Sequence, residues 1–329
     1  MHTQQELSSI IEDNLQKLNF SSEPKELYEP LNYIINIGGK RLRPLMSLTT
    51  YDLFAEQITE QIIYPAMALE VFHNFTLIHD DIMDKADIRR GKPTVYRKWD
   101  SNIAILSGDV MSIKSYELLA KYPTEKLSEI LQLFTKTAAQ VCEGQQYDMN
   151  FENDLNTTIE EYIKMIGLKT AVLIACAAKM GAIIAGSNSS LCESLYEYGY
   201  KLGLAFQIQD DYLDTFGDSK TFGKTIGGDI TNNKKTWLLI DCINRLKSGS
   251  NEMDKKELSS LMSLGQERAQ EKIQGISALY TRSGAKDGAE NAIAKYHKEA
   301  MKTIKNTELN EQQYSALEEF ANMLLKREK

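Results

Sequence analysis

Apolar residues recur at intervals of three and four along nearly the whole chain, and this periodicity constrains the fold more than any other feature. Windows such as LYEPLNYIINI, LSEILQLFTKTAAQV and YSALEEFANMLLK show it clearly. The spacing is that of amphipathic helices, and no convincing run of alternating β-branched residues interrupts it. The sequence therefore predicts an all-α protein whose helices pack around a central cavity.

The breaks between the helical windows are short. Because no stretch resembles a linker between domains, we expect a single domain over residues 1–329. The most apolar run, TAVLIACAAKMGAIIAG at residues 170–186, is too short for a typical bilayer span and carries Lys179 in its middle. It is predicted to be a tightly packed interior helix, so stable membrane insertion is not expected.

Charge and cysteine usage narrow the functional class. The net charge of −8 argues against general nucleic-acid binding. Four cysteines are scattered without a CxxC pair, and the N-terminus lacks the basic and apolar regions of a secretion signal. We expect a cytoplasmic protein whose thiols are small core residues.

Two acidic segments share the pattern I-x-D-D-x-x-D. The first lies in LIHDDIMDKADIRRGK and the second in FQIQDDYLD. On a helix, Asp80 and Asp84 share one face with His73, and Asp81 lies at its edge. The same spacing relates the residues of the second segment, which are Gln207, Asp210, Asp211 and Asp214. We expect the two segments to be facing halves of one site.

Six converging carboxylates need cations, because two unit charges about 4 Å apart repel by roughly 4 kcal/mol at an effective dielectric constant near 20. Oxygen-only ligands favour Mg²⁺. Basic residues also cluster in or beside glycine-rich loops, where they predict a phosphate-bearing substrate. They are Lys40, Arg41, Arg43, Arg89, Arg90, Lys224, Lys234 and Lys235.

These blocks resemble the trans-type polyprenyl diphosphate synthases of the all-α isoprenoid synthase fold. The resemblance includes GGKRLRP, RRG, EGQQYD, GLKTAVL, FQIQDDYLD and GKTIGGDI, and it covers most of the chain. It implies a short-chain prenyltransferase that ionises an allylic diphosphate with Mg²⁺ and joins the cation head to tail to isopentenyl diphosphate, releasing pyrophosphate. The family is usually homodimeric.

The resemblance also implies residue roles. Metal ions would be held by the aspartates of the two motifs, namely Asp80, Asp81, Asp84, Asp210, Asp211 and Asp214. The allylic diphosphate would contact Arg89, Lys169, Lys224 and Lys234, and isopentenyl diphosphate would contact Lys40, Arg43, His73 and Arg90. Thr170, Gln207 and the carbonyl of Lys169 would present oxygens to the developing cation. Arg327, in the basic C-terminus, is a further candidate for closing over the site.

Product length depends, by the same resemblance, on the two positions before the first motif. Phe75 is large and Thr76 is small, a combination that implies geranylgeranyl diphosphate, with farnesyl diphosphate as the alternative. Phe72, one turn earlier, would add to the floor under the growing chain.

Alternatives remain open for some residues and for the function. His73 could be an ordinary core histidine. The alternative role for three aspartates is to cap or brace loops, and these are Asp109, Asp148 and Asp229. A terpene cyclase, a metal-dependent phosphohydrolase and a non-catalytic subunit of a heteromeric synthase are the alternative functions. A cyclase has no use for a second diphosphate pocket, and a non-catalytic subunit would have lost aspartates.

Overall fold

The computed structural model describes residues 1–121, 125–152, 154, 156–217, 226–249 and 252–325. Nearly all of the elements in it are helical. The first half contains α1 Gln4–Lys17, α2 Lys25–Asn36, α3 Leu42–Asp52, α4 Glu60–Met83, α5 Val95–Lys98, α6 Ser101–Ala120 and α7 Leu127–Phe151. The second half contains α8 Ile159–Ile166, a π-helical turn Gly167–Ala171, α9 Val172–Ile184, α10 Ser189–Phe216, α11 Gly228–Thr231, α12 Trp237–Ser248, α13 Glu252–Met262, a 3₁₀ turn Gln266–Arg268, α14 Ala269–Arg282, α15 Ala285–Lys305 and α16 Glu311–Leu325.

Local sequence sets several helix starts. Thr158 and Glu161 form a capping box at the start of α8, in which each side chain accepts from the other residue's backbone N–H. Asp100 caps α6 by accepting from the N–H of Ile103. Such caps satisfy backbone donors that a helix start leaves without partners.

The first of two compact units comprises Met1–Lys136, Leu173–Tyr196 and Thr307–Phe320. In it, α4 packs against α3 and α6. Phe72 on α4 and Phe134 on α7 are buried in its core. The C-terminal end of α4 carries the first aspartate motif.

The second unit comprises Thr137–Val172, Glu197–Asn306 and Ala321–Lys329. Its core joins α8, the second half of α10, and α12 to α15, and its buried members include Tyr162 and Ile208. This core supports the second aspartate motif on α10. A single functional domain over residues 1–329 stays a prediction.

The all-α prediction is confirmed, with one local addition. The RRGK segment forms a small antiparallel hairpin of two-residue strands, β1 Ile88–Arg89 and β2 Lys92–Pro93. Its turn places Arg90 at φ 51° and Gly91 at φ 73°, and this left-handed conformation is easy for glycine and uncommon for arginine.

One helical segment of the described chain, Ile159–Ile184, has the length and apolar character that crossing a bilayer would need, but 83% of its most apolar window is buried in the protein. That burial fits a core helix, as the sequence predicted. The expectation for the cysteines was partly wrong: Cys176, Cys192 and Cys242 are buried, whereas Cys142 is exposed. Cys142 lies on a face of α7 that the core does not cover.

Candidate functional site

The first aspartate motif lies where α4 ends. Asp80 and Asp81 occupy its last turn, and Asp84 follows directly as the C-terminal cap. Their exposures differ, because the side chain of Asp81 is 1% exposed, that of Asp80 is 22% exposed, and Asp84 is on the surface. The shared helical face predicted from the sequence therefore divides into one buried carboxylate and two accessible ones.

Arg89, on the hairpin, binds the buried carboxylate of this motif. Its Nε donates to both oxygens of Asp81 at 2.9 and 3.0 Å, and its Nη2 donates to Oδ1 at 2.7 Å. Burial raises the pKa of Asp81, although Arg89 acts in the opposite direction. Burial alone would lower the pKa of Arg89, but the bonds to Asp81 reverse this and raise it. The sequence predicted that Asp81 would bind a metal ion and that Arg89 would bind a diphosphate. In the structure the two side chains bind each other.

A cationic cluster lies in the same unit. Arg43 is buried, and its Nε has no hydrogen-bond partner within the described part of the chain. Burial lowers the pKa of Arg43 to about 10, although Glu70 opposes the shift. Burial, and then the positive charges of Arg43 and Arg90, hold the pKa of His73 well below its ordinary value. His73 is therefore a neutral hydrogen-bonding group at pH 7.

Gly39 and Arg41, both in the GGKRLRP block, have different surroundings. Arg90 contacts the carbonyl of Gly38, and a side chain on Gly39 would collide with the Arg90 guanidinium at 2.5 to 2.8 Å. A larger residue at position 39 would therefore have to displace the guanidinium of Arg90. Arg41, which the sequence placed among the anion-binding cations, instead bonds to Glu70 at 2.8 Å and Glu12 at 3.0 Å. That expectation is corrected, because its charge is already compensated inside the protein.

The second aspartate motif lies near the end of α10. Asp210 is partly exposed, whereas Asp211 and Asp214 are 5% and 7% exposed. Asp214 accepts from the N–H of Asp229 at 2.9 Å. As in the first motif, the sequence pattern places the three aspartates together, but only part of the set faces outward. Through its bond to Asp229, Asp214 holds the short helix α11.

Neutral donors surround Asp211. The hydroxyl of Tyr162 donates to Oδ2 at 2.6 Å, the amide of Gln207 donates to Oδ1 at 3.1 Å, and the N–H of Trp237 reaches Oδ2 at 3.4 Å. Burial and the negative charge of Asp229 raise the pKa of Asp211 to about 7. The side chain acts as a hub that joins α8, α10 and α12.

Lys169 and Thr170 lie in the π-helical turn. The Nζ of Lys169 donates to Asp148 at 2.7 Å, and the hydroxyl of Thr170 donates to the Oε1 of Gln207 at 2.8 Å. Because its proton goes to Gln207, the Thr170 oxygen keeps its lone pairs for another partner. Asp148, for which the sequence left a bracing role open, braces Lys169.

The two described lysines after α10 differ in exposure. Lys234 lies 4.0 Å from Asp229 and is about one-third exposed. Lys235 is buried and donates to the backbone carbonyls of Glu152 and Asn233, so its expected place among anion-binding residues is corrected. Lys224 and Arg327 lie outside the described residues.

The chain-length positions lie within a row of aromatic rings in the first unit. Phe75 packs edge-on against His79, with ring centroids 4.8 Å apart, and against Phe72 at 5.3 Å. Phe72 continues the row to Phe134 at 5.2 Å. The hydroxyl of Thr76 donates to a carbonyl of its own helix. Phe75 therefore has a second large ring packed against it, and a role of Phe72 in the floor under the growing chain stays a prediction.

Within the described residues, no group of three or more His, Cys, Asp or Glu side chains is arranged to enclose a metal ion. The donor set still fits Mg²⁺, because this ion typically takes one or two carboxylates and completes its shell with water and phosphate oxygens. Asp80 and Asp84 supply accessible carboxylates in the first motif, and Asp210 in the second. Lys40 is also exposed.

Sequence reasoning missed two residues that organise these clusters. Glu70 is buried and bonds to Arg41, and Tyr162 is buried and bonds to Asp211. Glu70 had a detectable signal, since it is a lone carboxylate in the apolar window AMALEVF. Buried carboxylates are rare without a partner. Tyr162 had no comparable signal.

Comparisons with known proteins agree with these features. Residues 24–279 match the family described as Polyprenyl synthetase. Geranylgeranyl diphosphate synthase of Sulfolobus acidocaldarius is 38% identical over 292 residues, covering 88% of this chain and 86% of that protein.

Solved structures give the same result. A crystal structure of geranylgeranyl pyrophosphate synthase matches with a TM-score of 0.93 and 41% identity over 100% of both chains. The same enzyme from Corynebacterium glutamicum, complexed with isoprenyl diphosphate and magnesium, matches with a TM-score of 0.87 and 26% identity over 98% of this chain and 99% of that one. The chain therefore belongs to the polyprenyl synthetase family of prenyltransferases.

Proposed function

We propose that the chain is a short-chain prenyltransferase that joins isopentenyl diphosphate head to tail to an allylic diphosphate, with geranylgeranyl diphosphate as its main product. The observation that carries the proposal lies in the first unit. The accessible carboxylate of Asp80 at the end of α4 lies 4.0 Å from Nη2 of the hairpin residue Arg89, and the same unit holds the buried Arg43, whose Nε lacks a partner in the described chain. Unmatched guanidinium donors mark a site for an anion such as a diphosphate.

Arg43 and Arg90 are the proposed ligands of isopentenyl diphosphate, with Lys40 and His73 beside them. A neutral His73 can donate a hydrogen bond without adding charge to an already cationic cluster. Arg89 is proposed for the allylic diphosphate. Because it is bonded to Asp81, an incoming phosphate oxygen must share its donors or replace part of that pair.

The proposed metal is Mg²⁺, with Asp80, Asp84 and Asp210 as its accessible ligands and with Asp81, Asp211 and Asp214 in support. Enzymes of this family generally use Mg²⁺. When bound, the ion would stabilise the negative charge that develops on the departing pyrophosphate. That both motifs act on one diphosphate stays a prediction.

The allylic carbon to oxygen bond breaks, and the double bond of isopentenyl diphosphate forms the new carbon to carbon bond. A proton is then lost, in this proposal to the departing pyrophosphate. The Thr170 oxygen suits the cationic stage, since its proton is donated to Gln207 and Gln207 is in turn held by Asp211. Lys169, braced by Asp148, and Lys234 are assigned to the allylic diphosphate.

The product assignment is tested with purified protein, Mg²⁺, isopentenyl diphosphate and each of dimethylallyl, geranyl and farnesyl diphosphate. Reverse-phase chromatography should show a twenty-carbon product, and chelation with EDTA should abolish it. Hydrocarbon formed from geranyl diphosphate alone would indicate a cyclase instead. Phosphate release without chain growth would indicate a phosphohydrolase, and inactivity of the pure chain would favour a non-catalytic subunit.

The floor of the product cavity is tested by Phe75→Ala. We expect longer products, with the extension limited by Phe72 and Phe134 behind the removed ring. Leu133→Ala, on α7, serves as a control for general loss of apolar volume. An unchanged product distribution for Phe75→Ala would contradict the assignment of Phe75.

A homodimer and a cytoplasmic location are also proposed. Exposed Ile105, Leu106 and Ile113 form an apolar surface on α6, which is costly to leave in water and suits contact with a second copy. Light scattering should give twice the chain mass. All four cysteines are unpaired in the structure, as is usual in a reducing compartment.

A further inference from the structure

The π-helical turn Gly167–Ala171 interrupts an otherwise continuous helix at the point where Lys169 and Thr170 lie. The N–H of Val172 donates to the carbonyl of Gly167, five residues earlier instead of four. This wider turn adds a residue to the helix and shifts the carbonyls around it out of the α-helical pattern. Such a turn is unfavourable in isolation, so its surroundings must hold it in place.

Two glycines from different helices of the second unit touch the backbone of this turn. A Cβ on Gly144 of α7 would lie 2.2 Å from the nitrogen of Lys169 and 2.6 Å from its Cα. A Cβ on Gly203 of α10 would lie 2.5 Å from the Cα of Ala171. Backbone atoms cannot rotate away as a side chain can, so any larger residue must displace the turn.

Each glycine is followed one helical turn later by the residue that binds a side chain of the π turn. Gly144 precedes Asp148, which bonds to Lys169, and Gly203 precedes Gln207, which bonds to Thr170. Positions four apart lie on the same face of a helix. On both helices, therefore, a glycine leaves room for the backbone of the π turn, and the residue one helical turn later binds a side chain of that turn.

We propose that the pairs Gly144 with Asp148 and Gly203 with Gln207 form a two-sided clamp that positions the π turn for the reaction. The clamp rests on the proposed function, because its purpose is to fix Lys169 and Thr170 relative to the reacting substrate. The glycines are positioning residues, since they act through the turn. A displacement of about 1 Å in such a site costs on the order of 10²-fold in rate.

The direct test replaces each glycine. Gly144→Ala and Gly203→Ala should each lower kcat by about 10²-fold, with KM for isopentenyl diphosphate unchanged, because its proposed ligands are elsewhere. The matched control is Gly275→Ala on α14, where the three atoms nearest the added Cβ all belong to the side chain of Leu261 and none to the backbone. This control should keep wild-type activity. Wild-type kcat in both clamp variants would overturn the proposal.

A double-mutant cycle separates positioning from a general structural role. In a Thr170→Val background the Gly203→Ala change should lose most of its effect on kcat, because the positioned hydroxyl is already absent. An equal fall of kcat in both backgrounds would show that Gly203 does not act through Thr170. Thermal unfolding of all four proteins reports any common loss of stability.

Hydrogen exchange of the unmodified protein provides a test even if the alanine variants fail to fold. The clamp predicts that amides of residues 167–171 exchange as slowly as those of α8 and α9, despite the irregular turn. Fast exchange confined to the turn would overturn the proposal. Should the wild type show no prenyl transfer, the proposed function fails, and slow exchange still tests the clamp separately.

Discussion

The two aspartate motifs share the sequence I-x-D-D-x-x-D but are held in different ways. In the first, the buried Asp81 pairs with the guanidinium of Arg89. In the second, the buried Asp211 accepts from the neutral groups of Tyr162, Gln207 and Trp237. One motif is stabilised by opposite charge and the other by a network of uncharged donors.

Because of this difference, we expect the two motifs to have different roles although they share one sequence pattern. A charged pair whose guanidinium is partly exposed can share its donors with an incoming phosphate. A neutral network around a buried carboxylate fixes geometry, because each bond is directional and no solvent competes. We infer that the first motif is the adaptable half and that the second is a rigid support whose accessible member is Asp210.

The largest expected effect comes from replacing an accessible aspartate in each motif. Asp80→Asn and Asp210→Asn should each lower kcat by about 10²- to 10³-fold, the cost of losing one preorganised stabilising group at a developing charge. Both substitutions keep the side-chain volume. Asp154→Asn, on the loop after α7, is the control. Steady-state kinetics at saturating Mg²⁺ gives the result, and near-normal turnover in either motif variant would remove that aspartate from the site.

The buried members should differ in stability. Asp81→Asn leaves Arg89 largely buried without its main partner, so we expect a loss of about 3 kcal/mol in the free energy of unfolding. Asp211→Asn keeps an acceptor for neutral donors and removes a charge that burial disfavours, so the loss should be about 1 kcal/mol or less. Urea unfolding in EDTA measures both. Equal losses would show that the motifs are held alike.

The network of the second motif can be weakened without changing a charge. Tyr162→Phe removes the 2.6 Å bond to Asp211 and should cost about 1.5 kcal/mol in the free energy of unfolding. Tyr28→Phe, on the partly exposed α2, is the matched control. A Tyr162→Phe protein as stable as the wild type would mean that Gln207 and Trp237 suffice to hold the carboxylate.

Helical periodicity was enough to predict the fold class, because amphipathic spacing is a local property that the sequence displays directly. The motif positions were predictable for the same reason, since helical spacing alone places Asp80 and Asp84 on one face with Asp81 at its edge. The partners were not predictable, because Arg89 reaches Asp81 only through a hairpin, and Tyr162 reaches Asp211 from another helix. Arg41 was misassigned because charge in a glycine-rich loop does not reveal the buried Glu70 that compensates it.

The smallest predicted effect is a pH dependence of stability, and it comes from His73 in the cationic cluster of the first unit. His73 faces the positive charges of Arg43, Arg90, Arg89 and Arg41, and burial together with these charges lowers its pKa. The folded protein therefore binds this proton less readily than the unfolded chain, whose histidine pKa is about 6.5. Stability from this group is complete above pH 6.5 and falls as the pH is lowered below it, by at most about 1.4 kcal/mol per pH unit.

His73→Gln keeps a neutral hydrogen-bonding side chain and cannot take up that proton. The variant should lose less stability than the wild type between pH 6.5 and 5.5, and the two curves should run parallel above pH 7. The measurement is urea unfolding across this range, with His2→Gln as the control at the N-terminus. Parallel curves through the acidic range would mean that burial and the four arginines do not suppress protonation of His73. The cationic surroundings assigned to His73 would then be wrong.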